Sequence, residues 1–153
     1  MNVKKNKSKE EYKEWKSKGY KIVFTNGCFD LLHQGHLDLL SSAAKLGDRL
    51  IVGLNSDKSV KTLKGDDRPM QTEKLRKSKL IELDYVNYVQ IFNEKTPISL
   101  IKKIKPDVLV KGGDYRFEDI VGSLEIKCWG GTTKIIPLTP GYSTTEIIKK
   151  NKM

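Results

Sequence analysis

Short apolar runs alternate along the chain with stretches in which apolar residues return every three or four positions. Lys21-Ile22-Val23-Phe24, Arg49 to Leu54, Val86 to Phe92, Val108-Leu109-Val110 and Lys134 to Leu138 are runs of the first kind, and each reads as a strand. The second kind predicts helices. Residues 8–18 open on the capping-box pattern Ser8-Lys9-Glu10-Glu11 and carry Tyr12 and Trp15 as anchors. A helix from His36 to Leu46 keeps Leu37, Leu40 and Ala44 on one face, with Gly47 as a C′ stop. Further helices are expected over Thr72 to Leu83, over Pro97 to Ile104 with proline in the first turn, over residues 118–129, and from Ser143 onward. Residues 55–69 show no clear period and are rich in Lys, Asp and Gly, which predicts a long loop.

Strands alternating with helices predict an α/β fold: a Rossmann-like, doubly wound sheet of about five parallel strands with helices on both faces. Residues 1–20 read as a basic helical extension and residues 21–150 as a single domain. Ligands of such sheets sit beyond the carboxyl ends of the strands. Four unusual segments fall on that rim: the turn after the first strand, the long loop after the second, the Gly112-Gly113 turn after the fourth, and the helix start at Ser143.

Composition narrows the class. A chain of 153 residues supports one sizeable core. Its longest apolar run, Leu50 to Leu54, is too short to span a membrane, and the Lys-rich start has no apolar stretch behind it, so a cytoplasmic protein with no membrane partner is expected. Cys28 and Cys128 lack metal-ligand spacing and read as free thiols, Cys28 as a small packed hydrophobe. The net charge of +10 raises the possibility of a nucleic-acid-binding module, but its placement argues against one. Residues 1–20 hold seven Lys against three Glu, and Lys outnumbers Arg by 25 to 4, although Arg is the better bidentate reader of phosphate and guanine. A solvated lysine surface that helps draw in an anionic substrate is the reading preferred here.

The chain's two histidines both lie in His33-Gln34-Gly35-His36, where a strand gives way to a helix. Their spacing puts them on one side of a helical turn. The helix start offers free N–H groups and the positive end of the dipole, and Gly35 lets a phosphate approach the backbone. Two imidazoles there can donate hydrogen bonds to charge developing at an α-phosphate.

The segment Thr25-Asn26-Gly27-Cys28-Phe29-Asp30-Leu31-Leu32-His33-Gln34-Gly35-His36 resembles the signature of the cytidylyltransferase-like nucleotidyltransferase superfamily. Asn55-Ser56-Asp57, Lys64-Gly65-Asp66-Asp67-Arg68-Pro69, Val110-Lys111-Gly112-Gly113-Asp114-Tyr115 and Ser143-Thr144-Thr145 narrow the likeness to the adenylyltransferase domain of ADP-heptose synthases, from about Lys21 to Lys149. The resemblance implies that His33 and His36, with Lys64, act at the phosphates. It implies that Thr25, Asn26, Gly27, Phe29 and Gly35 line the turn that receives the nucleotide. Gly112 and Asp114 would lie beside ribose and base, Lys111 would belong to the nucleotide-binding set, and Ser143, Thr144 and Thr145 would face the phosphates. Ser143-Thr144-Thr145-Glu146 is also a capping box, and Asp30 fits a cap as well as a ligand neighbour. Arg68 and Arg76 fit phosphate contacts or carboxylate partners equally.

The implied reaction joins AMP from ATP to D-glycero-β-D-manno-heptose 1-phosphate, with Mg²⁺ across the phosphates and no general base, since a phosphate monoester is already ionised at neutral pH. The related glycerol-phosphate cytidylyltransferases carry an arginine before the final Ser-Thr pair. Here the chain reads Pro137-Leu138-Thr139-Pro140-Gly141-Tyr142, which favours the heptose branch over the glycerol 3-phosphate alternative. The family often fuses this domain to a sugar kinase; the length of this chain predicts a separate kinase upstream. A homodimer is expected.

Overall fold

The computed structural model describes residues 11–113 and 115–137. Helix α1 (Glu11–Ser17) precedes strand β1 (Ile22–Gly27), and then come α2 (Gln34–Ala44), β2 (Arg49–Asn55), α3 (Asp57–Lys64), α4 (Glu73–Ile81), β3 (Tyr88–Phe92), α5 (Ile98–Ile104), β4 (Val108–Gly112) and β5 (Thr132–Ile136). The strands form one sheet in the order β3-β2-β1-β4-β5, every neighbouring pair parallel. This is the Rossmann-like α/β sheet that the alternating pattern predicts.

Successive strand residues point to opposite faces, so each strand feeds two cores. Val23, Leu50, Val52, Leu54, Val108 and Val110 pack with Leu40 and Ala43 of α2 and Leu80 of α4 on one face. Ile22, Phe24, Ile51 and Leu109 pack with Tyr12 and Trp15 of α1 and Ile101 and Ile104 of α5 on the other. The strands are apolar on both sides because helices cover both, which is why they read as runs.

Three expectations from the sequence are corrected. Residues 55–69 are not one loop: α3 occupies Asp57–Lys64, with Ser56 as N-cap accepting from the Ser59 N–H at 3.1 Å. Residues 118–129 form no α-helix but two 3-10 turns, Phe117–Asp119 and Glu125–Trp129. Gly122 separates them at φ +92°, where a Cβ would also meet Ile101 Cδ1 at 2.9 Å. Gly47 is not the stop of α2, whose C-cap is Lys45 in the right-handed region. Its glycine is needed for close approach, because a Cβ there would meet the Lys21 carbonyl oxygen at 2.8 Å. The expected capping box at Ser8 and the helix from Ser143 lie outside the described residues.

The strand order reverses between β1 and β4, since the chain runs outward from β1 through β2 to β3 and then returns to β4. The β1–β4 ladder pairs only Val23 with Val108 and Phe24 with Leu109. Both strands continue beyond it, to Gly27 and Gly112. A parallel sheet binds ligands at such a reversal, beyond the carboxyl ends of the strands.

Candidate active site

The turn after β1 is the most contorted backbone in the described chain. Phe29 and Leu31 both take positive φ, +45° and +54°, which ordinary side chains adopt only at a cost of roughly 1–2 kcal/mol each. Burial and polar ties hold the turn in place. Phe29 is 5% exposed and meets the His36 ring edge-on, with centroids 5.2 Å apart. Asp30, 1% exposed, accepts the N–H groups of Met70 and Gln71 at 2.7 and 3.0 Å and pairs with Arg68 Nε at 3.2 Å. The N-cap residues of α2 and α4 are His33 and Thr72, not Asp30. Asp30 fastens the segment ahead of α4 to the turn, while also lining the cavity described below.

Arg76 does the same from α4. It donates to the carbonyls of Cys28 and Asn55 at 2.8 Å each and of Gln71 at 3.0 Å, and pairs with Asp57 at 2.8 Å. Arg68 and Arg76 are thus brace residues at 8% and 1% exposure; every Arg76 guanidinium nitrogen has an internal partner, whereas Arg68 is tied through Nε alone and its Nη2 is buried without one. Thr25 is also tied internally. It is buried in β1, and its hydroxyl donates to the Val110 carbonyl at 3.0 Å, joining β1 to β4 where their ladder has ended.

The turn delivers the chain to α2. His33 is its N-cap residue, and Gly35 is buried in its first turn. The His33 and His36 rings stack at 3.7 Å between centroids. The His33 N–H donates to His36 Nδ1 at 3.3 Å, so a neutral His36 carries its proton on Nε2. His36 is thereby preset as a hydrogen-bond donor.

A cavity of about 280 Å³ opens at the end of β1, lined by Asn26, Gly27, Cys28, Phe29, Asp30, His36, Lys64, Lys111 and Gly112 among others. It brings together seven of the residues singled out from the sequence: Asn26, Gly27, Phe29, His36, Lys64, Lys111 and Gly112. Asp114, Ser143, Thr144 and Thr145 lie outside the described residues. Cys28 is not packed away as expected: it is half-exposed and lines the cavity. Lys64 closes α3, where a cation complements the negative helix end. Lys111 Nζ lies 5.3 Å from the centroid of the Tyr115 ring, a cavity residue whose role the sequence did not single out.

Electrostatics suit an anion. Burial pushes the Lys111 ammonium below its ordinary range; Cys28 opposes this shift and Lys64 adds to it. His33 is lowered by burial. His36 falls to about 4, first through burial, then through His33 and Lys64, with Asp30 acting against them. Both imidazoles are therefore neutral donors at pH 7.

A measurable pH dependence follows. Between the ordinary histidine value of 6.5 and about 4, the folded chain binds fewer protons at His36 than the unfolded chain does. Stability is therefore unaffected by His36 above pH 6.5, falls as pH drops through this window, and has lost about 3 kcal/mol by its lower end. With only two histidines, proton NMR of the ring Hε1 signals reads the effect directly. One signal should titrate near pH 4 in the free protein and move upward when a triphosphate is added. Two signals titrating near 6.5 would refute the buried, neutral His36.

The family model described as cytidylyltransferase-like matches residues 24–150. The chain belongs to the cytidylyltransferase-like family of nucleotidyltransferases. It is 51% identical over 136 residues to the bifunctional protein HldE of Koribacter versatilis, a match covering 89% of this chain and 28% of that protein. HldE of Rhodopseudomonas palustris strain BisA53 is 51% identical over 137 residues, covering 90% and 28%. The chain thus spans under a third of the length of these relatives. Among solved structures, a lipopolysaccharide core biosynthesis protein from Thermoplasma volcanium superimposes with a TM-score of 0.65 at 30% identity, covering 79% of this chain and 98% of that one. Family membership makes the cavity at the β1–β4 reversal the expected place for a nucleotide.

Proposed function

We propose that the protein is an adenylyltransferase that forms ADP-heptose and pyrophosphate from ATP and D-glycero-β-D-manno-heptose 1-phosphate. The observation that carries this reading is the cavity at the strand reversal, where a preset His36 donor faces two lysines beside the start of α2. The naming of its relatives as HldE and as a lipopolysaccharide core biosynthesis protein supports the sugar class.

The step is an in-line displacement. An oxygen of the sugar phosphate attacks the α-phosphorus of ATP, the new P–O bond forms as the bond to the β-phosphate bridging oxygen breaks, and pyrophosphate leaves with that electron pair. The attacking phosphate is already ionised, its second pKa being about 6, so no side chain need remove a proton. His36 Nε2–H and His33 stabilise charge gathering on the α-phosphate oxygens. Lys64 and Lys111 balance the triphosphate, and Asn26, Gly27 and Phe29 shape the nucleotide's seat. Asp114, Ser143, Thr144 and Thr145 complete it in this proposal. Among the described residues no group of three or more His, Cys, Asp or Glu converges. Mg²⁺ across the phosphates would neutralise charge there. We place the reaction in the cytoplasm, where ATP is available, with the protein acting as a homodimer. Among the described residues no helix is long and apolar enough to cross a membrane.

A substrate matrix tests the proposal. ATP, CTP, GTP and UTP are each offered with both heptose 1-phosphate anomers, glycerol 3-phosphate, phosphoethanolamine and FMN, and pyrophosphate release is followed. The highest kcat/KM is expected for ATP with the β-anomer. A maximum for CTP with glycerol 3-phosphate would sink the heptose assignment within the same family. A maximum for GTP with the α-anomer would keep the sugar and refute the base. Tight, salt-sensitive binding to nucleic acid with no turnover would overturn the enzymatic reading.

A further inference from the structure

An in-line attack requires the acceptor to approach the α-phosphorus opposite the leaving pyrophosphate, so the acceptor needs a space that opens onto the nucleotide's and is distinct from it. A second cavity, of about 460 Å³, has this relation to the first. Both are lined by Asn26, Gly27, Cys28, Lys64, Lys111 and Tyr115, so they meet along the end of β1. From there the second runs toward Asn55 at the end of β2 and the turn Lys95-Thr96-Pro97 between β3 and α5. Its volume lies within the roughly 300–1,000 Å³ of small-molecule sites.

Its charge is distinctive. Lys64, Lys95 and Lys111 reach it from three separate segments, and the carboxylate that lines it is Asp119, which is paired with Arg116 Nε at 3.2 Å. Lys64 and Lys111 border both cavities and can serve either substrate. Lys95 borders the second alone. Resting on the reading above, we infer that the second cavity is the acceptor's seat and that Lys95 binds the phosphate dianion of a sugar phosphate there, without touching the nucleotide. Asn55 and Asp119 offer polar atoms for the acceptor's hydroxyl groups.

Lys95 lies on an exposed turn, so its replacement leaves the core intact. The experiment titrates heptose 1-phosphate into the full chain saturated with Mg²⁺ and α,β-methylene-ATP, by calorimetry, for wild type, Lys95→Glu and Lys95→Arg, and also measures steady-state kinetics. Loss of a hydrogen bond to a charged group, plus the reversed charge, predicts a rise of about tenfold or more in Kd and KM for the sugar phosphate in Lys95→Glu. Affinity for the ATP analogue should stay within about twofold, and Lys95→Arg should bind nearly as wild type does. Equal sugar-phosphate affinity in wild type and Lys95→Glu would overturn the role of Lys95. An equal loss for nucleotide and sugar would overturn the separation of the two cavities. Nucleotide binding with no sugar-phosphate binding in the wild type would instead overturn the acceptor class, a failure distinct from both.

Discussion

Replacing His36 with asparagine is expected to lower turnover by about 10²–10³-fold, the size of effect seen when one preset donor to a transition-state oxyanion is lost. The structure explains why this change is selective. His36 uses Nδ1 to accept the His33 N–H at 3.3 Å, and only Nε2–H remains to face the phosphates. Asparagine can keep the first function and cannot reach the second. Glutamine places its amide near the former Nε2 and should recover part of the rate. His33→Asn should lose a comparable factor in the two-donor mechanism. KM for ATP should change far less than kcat, because the donor acts on charge that develops only during reaction. Thermal unfolding near the wild-type temperature shows that the fold survives. Turnover within about threefold of wild type in His36→Asn would refute the donor role that the Nε2–H tautomer assigns.

The sequence carried the sheet legibly and parts of the site poorly, for physical reasons that differ from segment to segment. Strands covered on both faces must be apolar at every position, so β1, β2 and β4 stand out as runs. α3 does not, because Asp57–Lys64 contains only Val60 and Leu63 as apolar residues, one fully buried and the other 49% exposed. Its signals are local: the Ser56 cap and two lysines in the last turn. β5 is displaced from the expected Lys134–Leu138 to Thr132–Ile136, since pairing of Thr132 with Val108 sets its register rather than its own hydropathy. The family resemblance gathered Asn26, Gly27, Phe29, His36, Lys64, Lys111 and Gly112 into one cavity. It did not show the carboxylate partners of Arg68 and Arg76, which lie 38 and 19 residues away in the chain. Lys95 escaped notice as one lysine among 25, although its place after β3 puts it on the same carboxyl rim as the other loops.

The largest effect on stability is expected at Arg76. Its side chain is fully buried, and its guanidinium satisfies the carbonyls of Gln71, Cys28 and Asn55 together with the Asp57 carboxylate. Arg76→Leu fills much of the volume but leaves all four acceptors without this donor. A buried ion pair can sometimes be exchanged for apolar residues at little cost, but only when both partners go. Backbone carbonyls cannot be substituted, so that escape is closed here. Breaking such a group from one side costs about 3–5 kcal/mol, a large part of the roughly 5–15 kcal/mol that holds a domain folded. For a chain of this size the melting temperature should fall by about 10 °C or more. Arg76→Lys keeps the charge and loses the planar fork, and should fall in between. Both variants should also lose activity at temperatures where they remain folded, because the brace to Cys28 holds the turn that leads into His33 and His36. If Arg76→Leu melts within about 2 °C of wild type, the brace is not what fixes that turn, and the positive-φ backbone at Phe29 and Leu31 must be held by the Asp30 ties and the packing of Phe29 against His36.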